Sequence, residues 1–201
     1  MISHKHKCIF IHIPRTAGSS IEVALQGKDQ WVLEPDTKHL VASTAKKLYK
    51  DYWDEYFKFS FVRNPWARMV SMSKFPFYGC VIKNNLLCVK GYVDEFSPVE
   101  IDPRTESEKD RSNISVIQDA VYLNILNEEL DFIGRFENLQ EDFNTICDNI
   151  GMPRKKLPHR TKSEPCIKKK SYTLYYDDET REVVGSLYKK DIEYFDYEFG
   201  E

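Results

Sequence analysis

The 201-residue chain has no cysteine pair spaced C-x-x-C, no long apolar run and no excess of basic residues. Its cysteines, Cys8, Cys80, Cys88, Cys147 and Cys166, are odd in number and scattered, which points to reduced thiols in a cytoplasmic protein rather than a disulfide framework. A Cys80–Cys88 bridge in an exported form is the alternative. No stretch is apolar for long enough to span a membrane, and the first seven residues lead straight into a strand, so neither an anchor nor a signal peptide is expected. The formal charge of −3 argues against a dedicated nucleic-acid binder, which would carry basic excess. There is no internal repeat and no Gly/Ser linker, so residues 1–201 read as one domain able to bury a sizeable core. Also missing is the sequence G-x-x-x-x-G-K-[ST], and with it the main support for a magnesium-dependent NTPase or nucleotide kinase.

What the chain does have is two strand-loop-helix junctions about forty residues apart. The first runs from Ile9 through Ile13-Pro14-Arg15-Thr16-Ala17-Gly18-Ser19-Ser20 into Ile21-Glu22-Val23-Ala24-Leu25. A β-branched and aromatic run turning through small hydroxylated residues into a helix aims unpaired N–H groups and a positive helix end at one point, where an anionic oxygen can be held. Gly18 permits close backbone approach, Thr16, Ser19 and Ser20 add hydroxyls, and Arg15 adds a fixed charge. The competing reading is an ordinary βα turn with a serine cap. At the second junction, Phe59 to Ser71, Asn64 is a natural N-cap and Pro65 a natural first helical residue. Asn64, Arg68 and Ser71 then share one helix face, so Arg63 and Ser71 can share an anion. Otherwise Arg63 and Arg68 are surface residues paired with nearby acids.

The expected order is strand 8–13, helix 19–26, helix 41–53, strand 57–62, helix 65–73, an irregular section to about residue 113, helix 114–128, strand 131–136, helix 139–149, a basic loop to about 172 and a helix near 178–189. Alternation of this kind predicts an α/β fold with a parallel sheet and helices on both faces. Ligands of such sheets bind outside the carboxyl ends of the strands, where both junctions point. Gly151 and Pro153 should stop the helix that precedes them. Segment 75–113 reads equally as an acceptor-binding insertion or a long surface loop.

The two junctions resemble the signature loops of sulfotransferases that use 3′-phosphoadenosine 5′-phosphosulfate (PAPS). In form they are closest to the carbohydrate-type branch, which contains the Golgi heparan and chondroitin O-sulfotransferases and their bacterial and viral relatives. The likeness extends to Phe132-Ile133-Gly134-Arg135-Phe136-Glu137-Asn138-Leu139 and to the ending from Tyr188 to Phe199. It implies a P-loop NTPase-like three-layer fold and a soluble enzyme that moves a sulfuryl group to a hydroxyl, with a carbohydrate as the expected acceptor and no metal. By position, Arg15, Thr16, Ala17, Gly18, Ser19 and Ser20 would hold the 5′-phosphosulfate, and Arg63 and Ser71 the 3′-phosphate. Arg15 stands where the family usually has Lys. A loop in the region of 154–170 closes over the nucleotide in similar enzymes, which makes Arg160, Thr161 and Lys162 candidates there. The same basic run also suits a solvated face or an acidic glycan.

Sulfuryl transfer needs a base for the acceptor hydroxyl and positive charge at the leaving group. His39 is the expected base, since similar enzymes place a catalytic His in this stretch and imidazole titrates near neutrality. Its alternative is a solvated histidine, with Glu22 and Glu34 as substitute bases. Arg15 is the expected charge at the leaving phosphate. His12 reads as pocket wall or packed core, and a metal site from His4, His6 and Cys8 is disfavoured in a flexible terminus. A non-catalytic adenosine 3′,5′-bisphosphate binding module is the reading from another class.

Overall fold

The computed structural model describes residues 1–73, 80–84, 86–89, 122–158 and 171–201. Along the chain these form β1 (Ile2–Ser3), β2 (Cys8–Ile11), α1 (Gly18–Gln26), α2 (Gln30–Leu33), α3 (Ala42–Leu48), β3 (Phe57–Val62), α4 (Pro65–Met72), β4 (Cys80–Lys83), β5 (Leu86–Val89), α5 (Tyr122–Ile125), β6 (Phe132–Arg135), α6 (Leu139–Asn149), α7 (Asp178–Leu187) and α8 (Lys189–Phe195). They fall into two compact units, Met1–Arg63 with Tyr122–Lys162, and Asn64–Val121 with Ser163–Glu201.

The first unit is an α/β layer built on a mostly parallel sheet of order β1-β2-β3-β6. Parallel pairing sets Phe10 beside Phe59 and Phe59 beside Phe132, while β1 adds a short antiparallel edge. On one face Phe10, Phe59 and Phe61 pack with Ile21, Ala24 and Leu25 of α1 and with Phe143, Ile146 and Cys147 of α6. The alternate residues Ile9, Ile11 and Val62 are also buried, as expected of parallel strands covered on both sides. Each large apolar side chain buried in this way contributes about 1.5–3 kcal/mol. Helix α6 ends in a Schellman motif: Gly151 is left-handed at φ 65, its N–H reaches Asp148 O, and Met152 N reaches Cys147 O, with Pro153 following as a stop.

The second unit gathers α4, the β4–β5 hairpin, α7 and α8 around Trp66, Met69, Met72, Cys80, Leu87, Val184 and Tyr188. The Phe199 ring meets Trp66, Tyr172 and Tyr176 edge-on.

Several expectations need correction. The helix expected over 41–53 stops at Leu48, because Tyr49, Trp53 and Tyr56 are buried through turns rather than one helical face. Within the section expected to be irregular, Cys80–Lys83 and Leu86–Val89 pair as a hairpin. Its register sets Cys80 opposite Val89. The Cys80 thiol is free and donates to Met69 O, which removes the Cys80–Cys88 bridge. Arg68 is no surface residue, being fully buried on α4. Most of helix 114–128, most of segment 75–113 and residues Arg160, Thr161 and Lys162 lie outside the described residues.

Candidate active site

Between β2 and α1 the backbone makes two left-handed steps on non-glycine residues, Arg15 at φ 71 and Ala17 at φ 69. Each step costs about 1–2 kcal/mol for an L-residue, the kind of strain that collects at functional loops. Buried Thr16 gives its hydroxyl proton to Ile13 O at 2.8 Å, so its side chain braces the loop. Helix α1 then starts at Gly18 with Ala17 at the cap and no side-chain cap hydrogen bond. Ser20 N and Ile21 N reach Ala17 O at 2.9 and 3.3 Å, so Gly18 N and Ser19 N are the helix-start donors with no intrahelical acceptor. Gly18 is required by close approach: a Cβ would lie 2.0 Å from Cδ2 and Nε2 of His12. The sequence reads Gly18 as permitting close backbone approach to a ligand; in the structure its missing side chain also makes room for the His12 ring.

Behind this loop lies a buried ionic chain. Glu22, on the second turn of α1, is fully buried, and its Oε1 accepts from His12 Nδ1 at 2.6 Å. Its Oε2 accepts from Lys38 Nζ at 2.6 Å and from Gln30 N at 3.0 Å. Burial alone would raise the Glu22 pKa, but these donors outweigh it and bring it down to about 2. An ionised carboxylate with both oxygens engaged is a poor base, so Glu22 serves as an anchor. Lys38, only 2% exposed, also donates to Asp29 Oδ1 at 2.6 Å and to Ser19 Oγ at 3.3 Å. Asp29 in turn caps α2 through Trp31 N. Glu34, the other substitute base, accepts from the Thr37 hydroxyl.

The residue after Lys38 is His39. Its Nδ1 lies 3.0 Å from His12 O. A carbonyl can only accept, so Nδ1 carries the proton and Nε2 keeps its lone pair. The His39 ring packs edge-on against His12 at 4.5 Å and against Trp31 at 5.7 Å. Burial, reinforced by the neighbouring His12, holds the His39 pKa well below 6.5. The ring is therefore neutral at pH 7 and able to accept a proton. His12 is 4% exposed and bonded to Glu22, a packed core residue; burial lowers its pKa too, against the pull of Glu22.

Arg63 at the end of β3 approaches the first loop, its Nη1 reaching Arg15 O at 3.4 Å. Its guanidinium lies over the Phe136 ring at 4.1 Å, and its backbone exchanges two hydrogen bonds with the Tyr122 hydroxyl. Thus the structure gathers Arg15, Gly18, Ser19, His39 and Arg63 within one unit. At the second junction Asn64 Oδ1 accepts from Ala67 N, and its Nδ2 donates to Glu198 O. That helix start is closed by its own cap. Ser71 lies buried on α4, 9% exposed.

Sequence reasoning missed Lys38, Asp29 and Trp31. A lysine between turn residues reads as surface charge, and only the adjacency of Lys38 to His39 could have marked it. His4 hydrogen-bonds Tyr56 OH, and the buried Cys8 thiol is pushed up to about 12 by burial. Among the described residues no cluster of His, Cys, Asp or Glu is set to hold a metal ion, and no helix is long and apolar enough to cross a membrane.

A family model described as "Sulfotransferase family" matches residues 1–198. An uncharacterized protein of Archaeoglobus fulgidus is 30% identical over 110 residues, covering 53% of this chain and 78% of that protein. No solved structure matches the chain.

Proposed function

The chain belongs to the sulfotransferase family, and from that premise we propose that it moves the sulfuryl group of PAPS in line to a hydroxyl, with a carbohydrate as acceptor. The observation that carries this reading is the pairing of an uncapped α1 start behind Arg15 with a neutral His39 whose Nε2 is the accepting atom. PAPS supplies an activated sulfuryl group on a bisphosphate leaving group. The donor set fits an anion of that kind: the first N–H groups of α1, the Ser19 and Ser20 hydroxyls and the Arg15 guanidinium. Arg63 and Ser71, by their place in the resemblance, would take the 3′-phosphate. His39 Nε2 would remove the acceptor proton as its oxygen attacks, and Arg15 would stabilise charge gathering on the leaving phosphate. Because a phosphate needs no proton to leave, Arg in place of Lys is compatible with turnover.

The match over residues 1–198 supports reading the whole chain as one sulfotransferase domain. The free thiols of Cys8, Cys80 and Cys147 support a cytoplasmic location. The deciding experiment is turnover of radiolabelled PAPS with a panel of hydroxyl acceptors. Transfer to a sugar hydroxyl without magnesium is expected. Bisphosphate binding with no transfer to any acceptor would favour a binding module, and magnesium-dependent ATP turnover would favour a kinase.

A further inference from the structure

Three consecutive apolar residues, Trp31, Val32 and Leu33, are 45%, 69% and 46% exposed. Scattered exposed apolar side chains are ordinary. The first of these three touches the candidate base, its ring 5.7 Å from that of His39 at 73°. The segment is also held firmly from below. Trp31 N is fixed by Asp29, Gln30 N by Glu22, and the Gln30 side chain by the Thr37 hydroxyl at 2.7 Å. Lys38, which holds both carboxylates, lies 5.5 Å from the centre of the indole. A buried ionic chain thus keeps an exposed aromatic surface in one position beside the base. Such fixing is what a binding platform needs, because little ordering is left to do on binding.

We propose that the exposed Trp31 ring is the surface on which a sugar ring of the acceptor docks. This rests on the sulfotransferase reading and on His39 as its base. A small apolar alcohol would call for an enclosed slot covering most of its surface, and among the described residues Trp31 lies open. A pyranose suits an open aromatic surface. Its C–H face lies on the indole, its hydroxyls project from the rim, and one facing sideways meets His39 while the rest stay in water.

The test is initial-rate kinetics with radiolabelled PAPS and, as acceptors, methyl β-glucoside, methyl β-galactoside, N-acetylglucosamine and cellobiose, with naphthol and pentanol in parallel. Wild type, Trp31→Ala and Trp31→Phe are compared, and adenosine 3′,5′-bisphosphate affinity is measured for each. Transfer to at least one sugar is expected. Trp31→Ala should raise the sugar KM by about tenfold while kcat changes less than about twofold. Trp31→Phe should stay close to wild type, and bisphosphate affinity should be the same in all three. An unchanged sugar KM in Trp31→Ala overturns the inference. So does a fall in kcat alone, which would mean that Trp31 only steadies His39, and so does the absence of transfer to every sugar while the bisphosphate still binds. Failure of the wild type to bind the bisphosphate would instead sink the sulfotransferase reading.

Discussion

The two strand-to-helix junctions look alike in sequence and end differently in structure. After β2 the chain takes two strained left-handed steps and enters α1 with no side-chain cap. After β3, Asn64 caps α4 at Ala67 N, and Pro65 fills the first helical position. At the first junction Ser20 N is bonded to Ala17 O, which leaves Gly18 N and Ser19 N at the helix start for a ligand; at the second, Pro65 has no N–H to give and the Asn64 side chain takes Ala67 N. On the proposed reading the first junction therefore holds its anion with backbone and side chains together. The second can contribute through side chains such as Arg63, and its helix end adds little.

The largest effect that would break this contrast is expected at His39, which is tied to His12 O at the end of the strand leading into the first junction. His39→Ala should lower turnover by about 10² to 10⁴ while leaving bisphosphate affinity nearly unchanged. The pH profile carries the same claim. Because the His39 pKa lies well below 6.5, turnover should rise with pH through an acidic limb below that value and be level above it. The variant should lose that limb, and rates measured across the acidic range will tell.

Next comes the ionic chain behind the loop. The Glu22 pKa falls from 4.5 in the unfolded chain to about 2 in the folded one, so its contribution is present above pH 4.5 and lost as pH falls toward 2. The shift corresponds to roughly 3 kcal/mol. Denaturant titrations at a series of pH values should show stability dropping across that window, and a flatter dependence in Glu22→Gln. An equal slope in both proteins would remove Glu22 from its anchoring role.

Arginine substitutions compare the side chains at the two junctions. Arg63→Ala should cost about 1.5–3 kcal/mol of bisphosphate binding, the range for a charge-assisted hydrogen-bonding partner. Arg15→Ala should reduce turnover more than affinity, and Arg15→Lys should keep substantial activity. Intact turnover in Arg15→Ala would show that the first loop does not face the leaving group.

The smallest effect belongs to the second junction's cap. Asn64→Ala should cost about 1 kcal/mol of stability and leave bisphosphate affinity unaltered. A large loss of affinity on calorimetry would mean that this helix start is part of the anion site and that the two junctions are equivalent after all.

What was legible in the sequence follows from local rules. Strand Phe57–Val62 and helix Leu139–Asn149 fall at their expected bounds, because aromatic residues alternating at Phe57, Phe59 and Phe61 and a Gly151-Pro153 stop leave few alternatives. The turn from β2 into α1 was legible from residue type and order. The rest depended on contacts distant along the chain. Nothing local says that Lys38 is buried between Glu22 and Asp29, or that Gly18 is needed by the His12 ring. Nor could sequence spacing show that Arg68 is buried or that Asn64 reaches Glu198 O.

Calorimetry of the wild-type protein with adenosine 3′,5′-bisphosphate, AMP and ATP, without added magnesium, tests the central claim most directly. The bisphosphate should bind far more tightly than AMP or ATP. Equal affinity for AMP would show that no 3′-phosphate site exists, and would contradict the proposed roles of Arg63 and Ser71.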